Sequence, residues 1–509
     1  MGRFISLAIL LVGIGCSCIS GNGGMGADDD GDGDGPGGDA GALTVISTNP
    51  ENEEPRAQPD APIVVAFSHP VLTESVSPAT FAVTSSSGPV AGAFDVDGAT
   101  VTFTPSAPMH RLGVHDVMLT TGIASDDAGS LAAPFQLSFR VSDGEWSGRI
   151  DVADGVGDLR EVAHNRRGDM VLAYATSVGP VSIEAVLFDA AQSAFSTPGL
   201  VEQEAQPFGE AHAAINDEGD AIVVWSGLTD PQTRGWSRRS AGSWVAAIVA
   251  PGQVGRVALT SDGTAIMASD VGGDAVIETL APSATAWSSP AIAIPSASVR
   301  ALLQAGDRVE LIAYKEATQQ LMARGYAQGS MTAAQALSSP GAAVSSIDFQ
   351  YLPGEDMVMT WLQGDDEVRY ARFDGAAGTW TQDTLAAGTA GSAVCENTAG
   401  ARLAAFISGE SLLAAHAEPG ESFAGPQNVG SRPGMETAGC AIDELGHGHL
   451  FWAGEGGRSF RSRFADGLFA ELLELANGPP MVRAVSDPIR GTARVIFFPD
   501  GNLTARSFD

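Results

Sequence analysis

The sequence predicts an all-β protein, a small β-sandwich followed by a longer run of repeated four-stranded sheets. Two observations carry this expectation. Short stretches rich in Val, Ile and aromatic residues, bounded by Gly and Asp, recur along the chain, which favours strands over helices. From Trp146 to Asp509, one pattern also returns eight times. Each copy has an apolar stretch, a tight turn ending in Gly, and a second apolar stretch ending in an aromatic. A third stretch follows, then a large apolar residue opens a fourth. The turn glycines are Gly168, Gly219, Gly263, Gly306, Gly354, Gly400, Gly446 and Gly491, at spacings of 51, 44, 43, 48, 46, 46 and 45 residues. A period of about 46 with four short strands per unit is the signature of β-propeller blades.

The elements follow in chain order. Met1-Gly2-Arg3 gives a positive start, and Phe4 to Ile14 gives an apolar core too short to span a bilayer. Cys16 and Cys18 follow in GIGCSC. The segment resembles a bacterial lipoprotein signal, in which a cysteine after small residues is lipidated and becomes the mature N-terminus. Cys16 is the expected lipidation site, with Cys18 the alternative, although Gly13 stands where that family usually has Leu. The plain secretory signal is the rival reading. Ser17 follows Cys16, and by the same resemblance this directs the protein to the outer membrane and the cell surface. The signal is expected over residues 1–16.

Within residues 17–42, the stretch from Gly21 to Gly41 contains little besides Gly and Asp, including Asp28, Asp29, Asp30, Asp32, Asp34 and Asp39. Such a segment cannot bury enough apolar surface to fold and reads as a tether. A calcium loop starting at Asp30 would need a bidentate Glu at its twelfth position, where Gly41 stands.

Residues 43–142 read as the sandwich. Ile63, Val65 and Phe67 alternate, as do Phe94 and Val96, Val101 and Phe103, and Phe135, Leu137 and Phe139. Asp97-Gly98 between two such runs is a hairpin signal. Asn49-Pro50, Pro70-Val71, the Val101–Pro105 run, His115–Leu119, Gly122-Ile123 and Asp127–Leu131 together resemble the SbsA-type bacterial Ig-like family. The departures are His115 where Tyr is usual and Ser130 where Asn is usual. The resemblance implies a structural or adhesive spacer with no catalytic residues. His110 and His115 are expected at its surface or edges.

Residues 143–509 carry the repeats. The second stretches end at Tyr174, Trp225, Tyr314, Trp361, Phe406, Trp452 and Phe498, while the third unit has Ser269 in that column. Phe195, Trp244, Trp287, Met331, Trp380, Phe423 and Phe469 open the fourth stretches. The eighth unit has no fourth stretch, but Trp146 lies ahead of the first unit and has the missing look. Pairing Trp146–Val152 with Leu503–Phe508 would close an eight-bladed ring and remove two exposed edges. Seven blades with one degenerate unit is the rival count. Seven of the tryptophans, all but Trp236, fall in repeat columns, where packing between blades is their expected role.

The formal net charge is −34 at pH 7, with 27 basic against 61 acidic residues. A field of that sign repels nucleic acid phosphates and excludes nucleic acid as a partner. Four cysteines are present. Cys395 and Cys440 lie five and six residues before their turn glycines, and this one-residue offset is expected to put them on opposite strand faces. The reading is therefore two free buried thiols, with a Cys395–Cys440 disulfide as the alternative.

No phosphate loop, HExxH motif or nucleophile elbow occurs, so the sequence points to no catalytic residues and no cofactor. His447 and His449 with Asp443 lack an identifiable third strong ligand, so no metal site is expected. Arg160, Arg256, Arg300 and Arg483 stand near the starts of first strands, which line the channel of a propeller. Converging there, they would bind an anion such as a carboxylate-bearing sugar or an acidic peptide. Pairing of each Arg with a nearby acid is the competing reading. The expectation is a monomeric, lipid-anchored, non-catalytic module presenting its propeller face to a glycan or protein. A polysaccharide hydrolase or lyase and an envelope assembly scaffold are the alternatives.

Overall fold

A computed structural model describes residues 42–508 apart from 86–87, 126–128, 178–180, 204–207, 228–232, 241, 353–354, 365–366, 388–389, 433, 455–457, 471, 478–480, 488–491 and 498–501. The expected lipidation site at Cys16 or Cys18, the Gly/Asp tether, Gly354, Gly491 and Phe498 lie outside the described residues.

Residues Val45–Arg140 form two antiparallel four-stranded sheets. One joins Val45–Asn49, Ile63–Phe67, Thr100–Pro105 and Gly92–Asp97. The other joins Gly88–Pro89, Phe81–Ser85, Val114–Leu119 and Phe135–Arg140. Ile63, Val65, Phe67, Phe81, Val101, Phe103, Leu137 and Phe139 form the buried layer between them. The period-two alternation thus marks the inward face. One ion pair ties this unit to the repeats, and a second holds the residue that follows it. Arg140 Nη2 lies 2.7 Å from Asp466 Oδ1, and Arg463 Nη2 lies 2.9 Å from Asp143 Oδ1.

After residue 143 the described strands form eight antiparallel sheets, numbered here in chain order. Their first strands are Val156–His164, Phe208–Ile215, Arg256–Leu259, Ser298–Ala305, Val344–Tyr351, Ala390–Glu396, Met435–Ile442 and Met481–Asp487. The eighth sheet takes its fourth strand from before the first, since Leu503, Thr504 and Ala505 pair with Ala153, Asp151 and Ile150. Trp146 adds a bridge to Phe508.

Among the described residues, the turns after the first strands hold a left-handed residue, which Gly adopts without strain. Gly168, Gly219, Gly263, Gly306, Gly400 and Gly446 have φ of +81°, +84°, +79°, +61°, +90° and +83°. Three residues ahead of several of these glycines stands an Asn that does two jobs. Asn165 Oδ1 accepts the N–H groups of Arg167 and Asp169 at 3.0 and 2.9 Å, while its Nδ2 donates to Asn216 O of the next sheet at 2.8 Å. Asn216 reaches Thr260 O at 3.0 Å, and Asn397 reaches Asp443 O at 2.9 Å. The turn side chain thereby links consecutive sheets.

The second-strand aromatics pack between sheets. Trp225 clusters with Val171 and Ala173 of sheet 1, Trp361 with Leu303 and Ala305 of sheet 4, and Trp452 with Leu403 and Ala405 of sheet 6. Trp225, Trp361 and Trp452 are at most 1% exposed. Trp236, outside the repeat columns, is buried on a third strand and meets Trp287 edge-on at 6.1 Å between centroids.

Two expectations are corrected. Cys395 and Cys440 are joined by a disulfide with Cα atoms 5.8 Å apart, inside the span that bond requires. Cys395 pairs with Leu403 and Cys440 with Leu450, one step apart in register, so they do point to opposite faces of their own sheets. Neighbouring sheets pack face to face, however, and opposite faces of two stacked sheets are the ones that meet. His115 is buried, not exposed. It is 1% accessible and stacks on Phe139 at 5.6 Å. Desolvation lowers its pKa, opposed by its contact with the Gly113 carbonyl.

Candidate functional site

The first strands of sheets 1 to 5 converge on a cavity of about 270 Å3. Its wall carries Glu161 and His164 from sheet 1, His212 from sheet 2, Arg256 from sheet 3, Arg300 and Gln304 from sheet 4, and Phe349 and Tyr351 from sheet 5.

The repeat brings unlike residues into one position. Glu161 pairs with Ala173, His212 with Val224 and Arg256 with Ala268, each partner standing one residue before the aromatic column. They are therefore the same register position in three consecutive sheets. Their side chains meet at Glu161, whose Oε2 lies 3.1 Å from His212 Nδ1 and 3.4 Å from Arg256 Nη1. Arg256 remains 49% exposed, so its other N–H groups are free to face a ligand. A guanidinium held on one side by a carboxylate is pre-oriented, which lowers the entropic cost of a second contact.

Across the cavity, Arg300 lies over the Tyr314 ring at 5.2 Å and reaches Glu316 at 3.4 Å. Gln304 is 7% exposed, and its Nε2 has no hydrogen-bond partner among the described residues. Its backbone N–H donates to the Tyr351 hydroxyl at 3.3 Å. Opposite walls approach closely where the His164 ring lies 5.3 Å from that of Tyr351 and 6.4 Å from that of Phe349.

Of the four arginines singled out by sequence, the structure brings Arg256 and Arg300 to this cavity. Arg160 does not line it and pairs with Asp158 on its own strand at 3.1 Å. Register shifts at 159–161 and 299–301 place both Arg160 and Arg300 at bulges, where one extra residue turns the side chains that follow. Arg483 pairs its backbone with Ile496, and its side chain lies outside the described residues. Sequence reasoning missed Glu161, His212 and Gln304. The signal was present as a shared offset, because Glu161, His212 and Arg256 each stand seven residues before a turn glycine.

His447 and His449 have different surroundings. His447 Nδ1 lies 3.6 Å from Asp443 Oδ2, whereas His449 is packed among Trp146, Phe451 and Phe508. Among the described residues, no three metal-ligating side chains cluster.

Residues 39–141 match the bacterial Ig-like domain family. No curated protein matches the chain. Among solved structures, the chain is similar to the Dos1 propeller at 11% identity, over 72% of this chain and 95% of that one, with a TM-score of 0.47. It is also similar to BamB from Moraxella catarrhalis at 10% identity, over 72% and 100% of the two chains, with a TM-score of 0.42. A polysaccharide lyase, an ulvan lyase bound to -[GlcA(1-4)Rha3S]-, aligns at 10% identity over 70% and 95%, with a TM-score of 0.41.

Proposed function

We propose that this protein is an exported, lipid-anchored binding module of the outer membrane whose central cavity holds an anionic glycan. In this reading Cys16 carries the lipid, the Gly/Asp segment is a tether, and the Ig-like unit, of the SbsA type, is a spacer. The eight sheets close into an eight-bladed propeller through the strand around Trp146–Ala153. The observation that carries the binding proposal is the convergence of Arg256 and Arg300 on one cavity with Gln304, Phe349 and Tyr351. A uronate matches each part. Its carboxylate suits the guanidinium groups, its hydroxyls suit Gln304 and Glu161, and its C–H face suits the aromatic rings. The net charge of −34 opposes an acidic polymer at long range. At physiological salt that repulsion is screened beyond about 8 Å, and the local arginines decide the contact.

The test is binding of the purified protein to an array of acidic and neutral glycans, beside an Arg256→Ala/Arg300→Ala variant. Acidic glycans should bind the parent and not the variant. Binding that is equal in both, or confined to neutral glycans, contradicts the reading. The Glu161–His212 contact inside the cavity favours one second reading, a polysaccharide-cleaving enzyme with this pair as general base. Chromatography of the recovered glycan decides between them, since shortened products support cleavage and intact glycan supports binding.

A further inference from the structure

At sheet 3 the aromatic column is interrupted beside an opening in the wall between sheets. Tyr174, Trp225, Trp361, Phe406 and Trp452 each pack against the preceding sheet, as their shared clusters with residues of sheets 8, 1, 4, 5 and 6 show, whereas Tyr314 packs against the following sheet and Ala313 faces the preceding one. Sheet 3 carries Ser269 at this position. Along its strand, Ala265 belongs to the cluster shared with sheet 2, while Ile266 and Ala268 belong to the one shared with sheet 4. Alternation therefore aims Ser269 at sheet 2.

A cleft of about 560 Å3 lies there, lined by Gly209, Ser226 and Gly227 of sheet 2 and by Gly255, Ser269 and Asp270 of sheet 3. Small residues line both sides. Gly255 passes so near that a Cβ on it would stand 2.8 Å from Ser269 Cβ. Ser269 is 4% exposed, and its hydroxyl has no hydrogen-bond partner among the described residues. Farther out, Arg234 and Glu278 hold the two sheets together through a buried bidentate pair at 2.7 and 2.9 Å. The opening is thus bounded and does not reflect a general separation of the sheets.

The cleft and the central cavity share His212 and Arg256 as a common wall. The cavity of about 270 Å3 alone falls just below the usual range for a ligand site, roughly 300–1,000 Å3, whereas the cleft adds a second compartment of its own. We propose that Ser269 opens a lateral subsite and that the ligand is a uronic-acid oligosaccharide. One sugar's carboxylate meets Arg256 in the cavity, and the adjoining sugars lie in the cleft against Ser269. This rests on the anionic-glycan reading above and adds to it a requirement for chain length.

The experiment uses calorimetric titration with glucuronate, galacturonate, mannuronate and guluronate as monomers and as oligomers of two to six units. The parent protein should bind the trimer of one series at least tenfold more tightly than its monomer. Ser269→Trp, which restores the repeat's aromatic and fills the cleft, should erase that gain and leave monomer affinity unchanged. Ser269→Phe, a smaller filling, guards against a folding failure of the Trp variant, and the length dependence of the parent needs no variant. Affinity independent of length, or a gain that survives both substitutions, overturns the lateral subsite and leaves the central site standing. No binding to monomer or oligomer in any series overturns both.

Discussion

His449 shows what a single position in the repeat can demand. It stands on the second strand of sheet 7, where its ring lies 4.3 Å from Phe508 and 5.6 Å from Trp146. Both ring nitrogens are buried without a hydrogen-bond partner among the described residues. Burial, and then the nearby Arg463 and Arg461 charges, push its pKa well below the usual histidine value. The unfolded chain takes up this proton near pH 6.5 and the folded chain does not. The stability it contributes is therefore full above about pH 6.5 and falls by about 1.4 kcal/mol per pH unit below it. Thermal melts from pH 8 to pH 5 should show a smaller loss for His449→Phe than for the parent. Parallel pH profiles would contradict this. In the sequence, His449 looked like half of a metal pair, because alternation reveals a shared side and not what lies across from it.

At the scale of elements, the strand at residues 150–153 carries the heaviest consequence. Trp146 and residues 150–153 are far from residues 503–508 in sequence, yet they supply the fourth strand of the last sheet. Without that strand, Leu503–Phe508 becomes an exposed apolar edge. Deleting residues 146–153 should give aggregated or loosely packed protein. A soluble, cooperatively melting deletion variant would show that the strand closes nothing. The repeat made this pairing legible, because a missing fourth stretch at one end matched an orphan Trp at the other. The disulfide was harder to read. The one-residue offset of Cys395 and Cys440 was visible, but its meaning depends on whether two strands share a sheet or face each other from stacked sheets. The Asn linkages had a plain signal, Asn-x-x-Gly at 165–168, 216–219 and 397–400. Attention to the glycines alone passed over it.

For the whole molecule, the sequence carried the architecture well and the site only in part. The sandwich and the eight repeats were readable because burial imposes a period on every strand. The site arises where five first strands converge, and its chemistry lies in the residues that vary from sheet to sheet. Arg256 was legible from its place near the start of a first strand. Glu161 and His212 were not, because acids are abundant here and a lone histidine has many ordinary explanations. Bulges blurred the arginine set further, since an extra residue in a first strand shifts every offset counted from its turn.

The central claim is that Arg256 and Arg300 hold an acidic glycan in the cavity between these strands. Calorimetric titration of the best-binding acidic glycan into the parent protein and into Arg256→Ala/Arg300→Ala tests it most directly. Each charge-assisted contact contributes about 1.5–3 kcal/mol, so the double variant should bind at least about 100-fold more weakly. Its melting temperature should stay near that of the parent, because both arginines are substantially exposed. Equal affinity in the two proteins would place the ligand elsewhere and contradict the account.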